Sequence, residues 1–342
     1  MLNAIFNIIK GAVLGLAMII PGVSGGTMAV IFGIYERLIK ALHSFSPSSL
    51  REAAGLPWGA ERKTRLGALW NRHDLGFLAQ LFGGALLSIL ACSHLIEHLI
   101  KNHPNPTNGF FFGLVGASII FPLRLMERKS MVELACGIAA TALTICISIY
   151  AAGFAQEHPP QEAAMPHGLF NYARLAICGC VASSAMLLPG ISGSFILLLL
   201  GVYHDVLGII NQRDYLLLVV FAAGCAIGLV LFARLINLLL RRYRSPTMAF
   251  LGGLMAGSLW NLWPFRETGP GGPAWPAEGG STAGVTILAF LAGAAISSMM
   301  LLTCASRSNS IGWSERLPAS ILEKSRMSLM SASRASAALR IV

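Results

Sequence analysis

Apolar residues gather in long stretches, at roughly 3–20, 27–43, 75–99, 108–123, 131–155, 169–188, 194–210, 215–240, 246–263 and 283–304. Short polar segments separate them. Several stretches approach or exceed the ~20 residues that a helix needs to cross a bilayer. The pattern predicts an all-α polytopic membrane protein. The first ten residues have the look of a signal-peptide core. The segment that follows them recurs inside the chain, so they are read as retained.

Two pairs of these stretches, 3–20 with 27–43 and 169–188 with 194–210, are broken in the middle. One breaks at Pro21-Gly22-Val23-Ser24-Gly25-Gly26, the other at Pro189-Gly190-Ile191-Ser192-Gly193-Ser194. Each break sets a helix-breaking proline beside glycines at membrane depth. Backbone groups freed there find no partner in lipid. Protein must cover them, or they must line a wet cavity.

Composition narrows the class. Of 342 residues, 55% are hydrophobic and only 12% are charged, where a soluble chain carries about 25% charged residues. Mean hydropathy is +0.67. These values exclude soluble domains, a disordered chain, a disulfide scaffold and a nucleic-acid module. Cys92, Cys136, Cys146, Cys178, Cys180, Cys225 and Cys304 all fall in apolar runs with no Cys-x-x-Cys pair, and read as small buried hydrophobes. No metal or cofactor is expected.

The formal net charge of +10 matters through its placement. Arg37, Lys40, Arg51, Arg62, Lys63, Arg65 and Arg72 crowd residues 37–72. The next loop, 100–107, has only Lys101, and the 124–130 turn has Arg124, Arg128 and Lys129. Residues 156–168 have no Lys or Arg, and 211–214 has only Arg213. Arg241, Arg242 and Arg244 then precede a loop with only Arg266, and the tail has six. High and low counts alternate, which predicts both termini on the cytoplasmic side and membrane lipids as neighbours.

An internal repeat organises the chain. Residues 17–38 align without gaps on 185–206, an offset of 168 that matches Ala17/Ala185, Pro21/Pro189, Gly22/Gly190, Ser24/Ser192, Gly25/Gly193, Gly33/Gly201 and Tyr35/Tyr203. Asp74/Asp214, Leu78/Leu218, Gly84/Gly224, Phe110/Phe250, Gly113/Gly253 and Ser118/Ser258 follow at an offset of 140. The drop marks an insertion in the first half, the basic loop around 46–72. The expected division is therefore 1–155, an external linker 156–168, 169–304, and a Ser- and Arg-rich cytoplasmic tail 305–342. Each half reads as a broken, re-entrant or twice-crossing helix pair plus three spans. That count places the halves in opposite senses, a transporter architecture. A scaffold built by duplication is the plain alternative.

A helix starts after each break, near Gly26 or Ser194. Its first N–H groups lack acceptors and carry the positive end of the helix dipole. The expected anion site takes Pro21, Gly22, Ser24, Gly25, Gly26 and Thr27 from one break. From the other it takes Pro189, Gly190, Ser192, Gly193 and Ser194. The dipole contributes up to ~2 kcal/mol per helix, and charged hydrogen bonds ~1.5–3 kcal/mol each. Alternatively the Pro-Gly pairs are packing kinks whose serines satisfy local carbonyls.

Flanking charges supply entry and coupling candidates. Lys10 lies about 16 Å along a helix before Pro21, and Arg37 a similar distance beyond the break. Arg174 lies about 22 Å before Pro189. Tyr35, Glu36, Tyr203, His204 and Asp205 complete the set. Ordinary snorkelling at the interface is the competing account of each charge.

The segments Ile19-Ile20-Pro21-Gly22-Val23-Ser24-Gly25-Gly26-Thr27 with Gly33-Ile34-Tyr35-Glu36-Arg37, and Met186-Leu187-Leu188-Pro189-Gly190-Ile191-Ser192-Gly193-Ser194 with Gly201-Val202-Tyr203, resemble the signatures of the bacterial polyprenyl-phosphate transporter family. The Gly257-Ser258-Leu259 and Leu262-Trp263-Pro264-Phe265 stretch resembles its late motif. The resemblance covers about residues 1–300. It implies a carrier without enzymatic activity that recycles undecaprenyl phosphate from the outer to the inner leaflet of the cytoplasmic membrane. His204-Asp205 departs from the acidic residue expected directly after the tyrosine.

The implied cargo carries about −1.5 to −2 charges. Bringing it inward against an inside-negative potential costs roughly 3.5–4.6 kcal/mol per 100 mV. A coupling cation, proton or sodium, or a downhill carrier gradient must supply that; Glu36 and His204 are the proton candidates. Two other functions compete: an inorganic anion channel or permease, and a membrane zinc hydrolase built on His94-Leu95-Ile96-Glu97-His98.

Overall fold

The computed structural model describes residues 2–20, 23–54, 61–127, 130–157, 167–265 and 281–308. Every regular element among them is helical. The first half holds α1 (Leu2–Ile19), α2 (Gly25–Ile31), α3 (Tyr35–Ser44), α4 (Pro47–Ala54), α5 (Glu61–Arg72), α6 (Leu75–Asn102), α7 (Pro104–Ser118), α8 (Ile120–Arg124) and α9 (Met131–Glu157). The second holds α10 (Leu169–Met186), α11 (Gly193–Leu199), α12 (Tyr203–Asn211), α13 (Tyr215–Arg242), α14 (Arg244–Ser258) and α15 (Ser281–Ser308).

Among the described residues, six helices are long and apolar enough to cross a membrane, drawn from α6, α7 with α8, α9, α10, α13 and α15. Their outer faces are unsuited to water. On α6, Leu86, Leu87 and Leu90 are exposed, and on α13 so are Val219, Ile227 and Leu238. Such belts are stable only against hydrocarbon.

Element lengths recur at the sequence offsets. Helices α1 and α10 both have 18 residues, α2 and α11 have 7, α6 and α13 have 28, and α7 and α14 have 15. Contacts recur with them. A Cβ on Gly84 would lie 2.2 Å from the Ile8 carbonyl oxygen, and one on Gly224 would lie 2.2 Å from that of Ala176. The pairs are related by the two offsets, so α1 lies on α6 as α10 lies on α13, backbone against backbone. Small residues permit that approach where lipid supplies no hydrophobic drive.

The later helices pair differently. Helix α7 runs along α15, and α9 along α14, so each half packs its last spans against the other half. The Ser118 and Ser297 hydroxyls meet at 2.7 Å across one seam. Across the other, Thr141 donates to the Gly253 carbonyl at 3.0 Å, and Asn261 Nδ2 donates to Ser148 Oγ at 2.7 Å.

Two differences from the sequence reading stand out. The apolar stretches 27–43 and 194–210 are each cut again, between α2 and α3 and between α11 and α12. Gly33 (φ 65°) and Gly201 (φ 66°) sit at these cuts, in the left-handed region that other residues adopt at a cost. The second pair bends by 108°. Mean hydropathy is blind to such a turn, because leucine and isoleucine continue on both sides. Secondly, the basic insertion is partly helical, holding α4 and α5.

Candidate functional site

The two breaks meet. Ser24 is the N-cap of α2 and accepts the Thr27 N–H at 3.1 Å. Its own proton goes to the Leu188 carbonyl, 3.1 Å away in the other break. A serine has one proton to give, so in the 3.0 Å contact between the two hydroxyls Thr27 is the donor. The Gly190 N–H then lies between them, 3.0 Å from Ser24 Oγ and 2.9 Å from Thr27 Oγ1. Val23 through Val30 are all buried.

Sterics fix this junction as firmly as the hydrogen bonds do. A Cβ on Gly26 would lie 2.7 Å from the Leu187 carbonyl oxygen. Gly190 has φ 82°, and a Cβ there would lie 2.3 Å from the Leu254 carbonyl oxygen and 3.1 Å from Ser258 Cβ. The second break is thus clamped between α2 and α14.

The two helix starts differ. In the first, the Ser24 and Thr27 hydroxyls are both engaged with protein groups. Ser24 does give its proton to a carbonyl, but that carbonyl belongs to the partner break instead of its own turn. At the second, Ser192 is the N-cap of α11 yet makes no side-chain cap bond. Its hydroxyl lies 2.7 Å from that of Ser194, which is exposed. Ser192 and the following Gly193 are half-buried. Pro189 is buried behind it, while Pro21 and Gly22 lie outside the described residues. Gly25 is enclosed beside Leu14 and Met18.

The flanking charges are tied down locally. Lys10 Nζ donates to the Phe32 carbonyl at 3.4 Å, and Arg174 to the Gly201 carbonyl at 3.2 Å. Both carbonyls close the C-terminal end of a seven-residue helix, where a cation is favoured. Arg174 also lies 3.6 Å from Asp205. Arg37 forms a two-pronged pair with Asp74, at 2.6 and 3.0 Å, and its guanidinium stands 4.2 Å from the centre of the Phe77 ring.

Glu36 pairs with Arg244 of α14 at 3.1 Å, with 16% and 19% of the side chains exposed. The pair crosses between the halves. Beside it is a cavity of about 20 Å³, lined by Tyr35, Glu36, Phe121, Met248 and Leu251 among others. That is the size of one water. The Tyr35 hydroxyl is buried with no hydrogen-bond partner in the structure. In the second half, Tyr203 and His204 stack edge to face at 5.3 Å. Position 104, the counterpart of Arg244, is a proline, so the cross-half ion pair has no twin.

Sequence reasoning missed Asp74, Arg244, Leu188, Leu254 and Ser258. Asp74 and Ser258 carried a signal as repeat matches, and Arg244 was visible only as one more basic residue. Carbonyl acceptors such as Leu188 leave no trace in side-chain chemistry. At the His-x-x-Glu-His motif, Glu97 pairs with Lys101 at 2.6 Å and His98 with Asn102 at 2.9 Å. Among the described residues no three metal-type side chains gather there.

Fold and site together define an all-α polytopic membrane protein whose two chain interruptions are joined at its centre. The chain belongs to the undecaprenyl phosphate translocase-like family, whose model matches residues 14–271. It is similar to a polyprenyl-phosphate transporter of Vibrio cholerae, with 39% identity over 267 residues, covering 78% of this chain and 80% of the relative. It is also similar to a polyprenyl-phosphate transporter of Staphylococcus aureus, with 30% identity over 282 residues, covering 77% and 87%. No solved structure gives a significant match.

Proposed function

We propose that this protein carries polyprenyl phosphate, as undecaprenyl phosphate, from the outer to the inner leaflet of the bacterial cytoplasmic membrane. The names of its relatives support the cargo. The recurring helices, together with the alternating basic loops, support two halves of opposite sense with both termini in the cytoplasm. The isoprenoid tail stays in lipid while the headgroup passes through the protein. No covalent step is involved.

The single observation that carries the reading is the junction of the breaks. It covers backbone that lipid could not satisfy, and it leaves one polar helix start accessible. In this reading the phosphate docks at Ser192, Gly193 and Ser194, where hydroxyl and N–H donors converge. Ser24, Thr27 and Gly190 form the wall behind it. Inverted halves then allow the first break, with Pro21, Gly22, Ser24, Gly25, Gly26 and Thr27, to take the same role when the site faces the other leaflet.

Inward movement of the anion needs a coupling cation or a consumed product. In this reading Glu36 serves as proton acceptor when its pair with Arg244 opens, and His204 is the second candidate. The test is uptake of a labelled short-chain polyprenyl phosphate into proteoliposomes, with and without a proton or sodium gradient. Ser192→Ala with Ser194→Ala should cut uptake at least tenfold while the unfolding midpoint stays put. Unchanged uptake in that variant removes the site. Full competition by chloride or sulfate would favour an inorganic anion permease.

A further inference from the structure

Helix α5 has a face that transport leaves unused. It belongs to the insertion that sets the first half apart. Its sequence carries Arg62, Lys63, Arg65 and Arg72 against a single acid, Glu61. Of its side chains from 65 to 72 only Leu69 is buried. Leu66 and Trp70, four residues apart and so on one face, are 44% and 50% exposed.

Trp70 has a telling location. Its indole nitrogen lies 3.2 Å from where a Cβ on Gly76 would be, so the ring sits beside the first turn of α6. A spanning helix enters the headgroup layer at that turn. Tryptophan prefers that depth because it has an apolar body and a polar edge. Seven residues further along α6, Gly83 faces open space, and the exposed Leu86, Leu87 and Leu90 follow. Arg65 and Arg72 are exposed on α5, Arg72 while paired at 3.4 Å with the equally open Glu52 of α4. The matching corner of the second half, between α12 and α13, has three residues and one arginine, Arg213.

We propose that α5 lies in the headgroup layer and binds anionic phospholipid headgroups, with Trp70 and Leu66 entering the acyl boundary and Arg65 and Arg72 meeting phosphates. An interfacial helix gains from both terms at once. The anchor exists on one side only, so it gives the molecule a charge-sensitive footing in one leaflet. The inference is independent of what the protein transports.

The test is hydrogen exchange of residues 61–72 in the full chain, reconstituted in nanodiscs of phosphatidylcholine alone or with about 30% phosphatidylglycerol. Phosphatidylglycerol should slow exchange about fivefold per basic residue engaged. The effect should fade in ~1 M salt, where the Debye length is about 3 Å. The double variant Arg65→Gln with Arg72→Gln should lose most of the lipid dependence, and Arg65→Lys with Arg72→Lys should retain it. Brominated acyl chains should quench Trp70, read as the difference from Trp70→Phe. Equal exchange in both lipid mixtures overturns the proposal, and that measurement needs no variant. Protection that is strong and equal in both mixtures would instead identify a protein contact.

Discussion

The backbone N–H of Gly190 is held between two hydroxyls of the other half, 3.0 Å from Ser24 Oγ and 2.9 Å from Thr27 Oγ1. The two breaks therefore form one structural unit. Ser24→Ala removes the α2 cap and the shorter of two bonds to the Leu188 carbonyl, leaving only the 3.5 Å bond from the Ile191 N–H. The cap alone is worth ~1 kcal/mol, and the lost bond to Leu188 adds about 0.5–1.5 kcal/mol. A drop of several degrees in unfolding midpoint is expected, together with loss of transport. Gly190→Ala should be far worse, since its Cβ would meet the Leu254 carbonyl at 2.3 Å. Thermal unfolding in detergent checks both.

Glu36 and Arg244 form a mostly buried pair between the halves. Glu36→Gln or Arg244→Gln should each destabilise by up to ~3 kcal/mol, because a lone charge stays behind. The double variant should recover part of that, with a coupling of about 0.5–3 kcal/mol in the cycle. Denaturant unfolding of the four proteins measures it. If Glu36 is the proton acceptor, Glu36→Gln also abolishes the response of uptake to an imposed pH gradient.

His73 links α3, α5 and α6. Ser44 gives its proton to the Ala41 carbonyl at 2.6 Å, so it must accept from His73 Nδ1, 2.7 Å away. That leaves Nε2 bare, buried and unpartnered, with the ring stacked on Phe45 at 4.8 Å. Burial, then the nearby Arg72 charge, hold the imidazole below its ordinary value of 6.5, with Glu52 acting weakly the other way. The unfolded chain therefore binds the proton more readily, and stability increases with pH across the window. It should be complete above about 6.5 and fall as the solution is acidified below that value. Comparing unfolding midpoints of the native chain and His73→Gln from neutral to mildly acidic pH isolates the effect, since the variant should lose this slope.

Gly84 and Gly224 test whether the halves are built alike. Alanine at either position would drive a methyl to 2.2 Å from a carbonyl of the facing helix. Both variants should be destabilised by several kcal/mol, in line with overpacking of a tight interior. A large effect at one position and none at the other would contradict the matched geometry.

Much of the architecture was legible because lipid imposes simple rules. Long apolar runs foretold α6, α9, α10, α13 and α15, and the doubled Pro-Gly-x-Ser-Gly motif marked the central junction. The turns at Gly33 and Gly201 were hidden, since each glycine sits in an apolar run that continues past it. The partners of Arg37 and Glu36 were hidden for another reason. Asp74 and Arg244 lie 37 and 208 residues away, and only folding brings them close. The unequal state of the two helix starts was also invisible. Ser24 and Ser192 hold equivalent repeat positions, yet one is sealed by Leu188 and Gly190 and the other lies at an accessible edge.

The exchange of α15 and α9 between the halves has a mechanical consequence. Two lobes that each grip the other's last helix are threaded together like linked hands, and a seesaw of rigid lobes would have to unpick both grips. Displacement is cheaper in α11–α12, whose helices are short, mostly half-buried or exposed, and joined through Gly201. A label placed on Leu207 should report larger excursions during turnover than labels at the ends of α9 and α15.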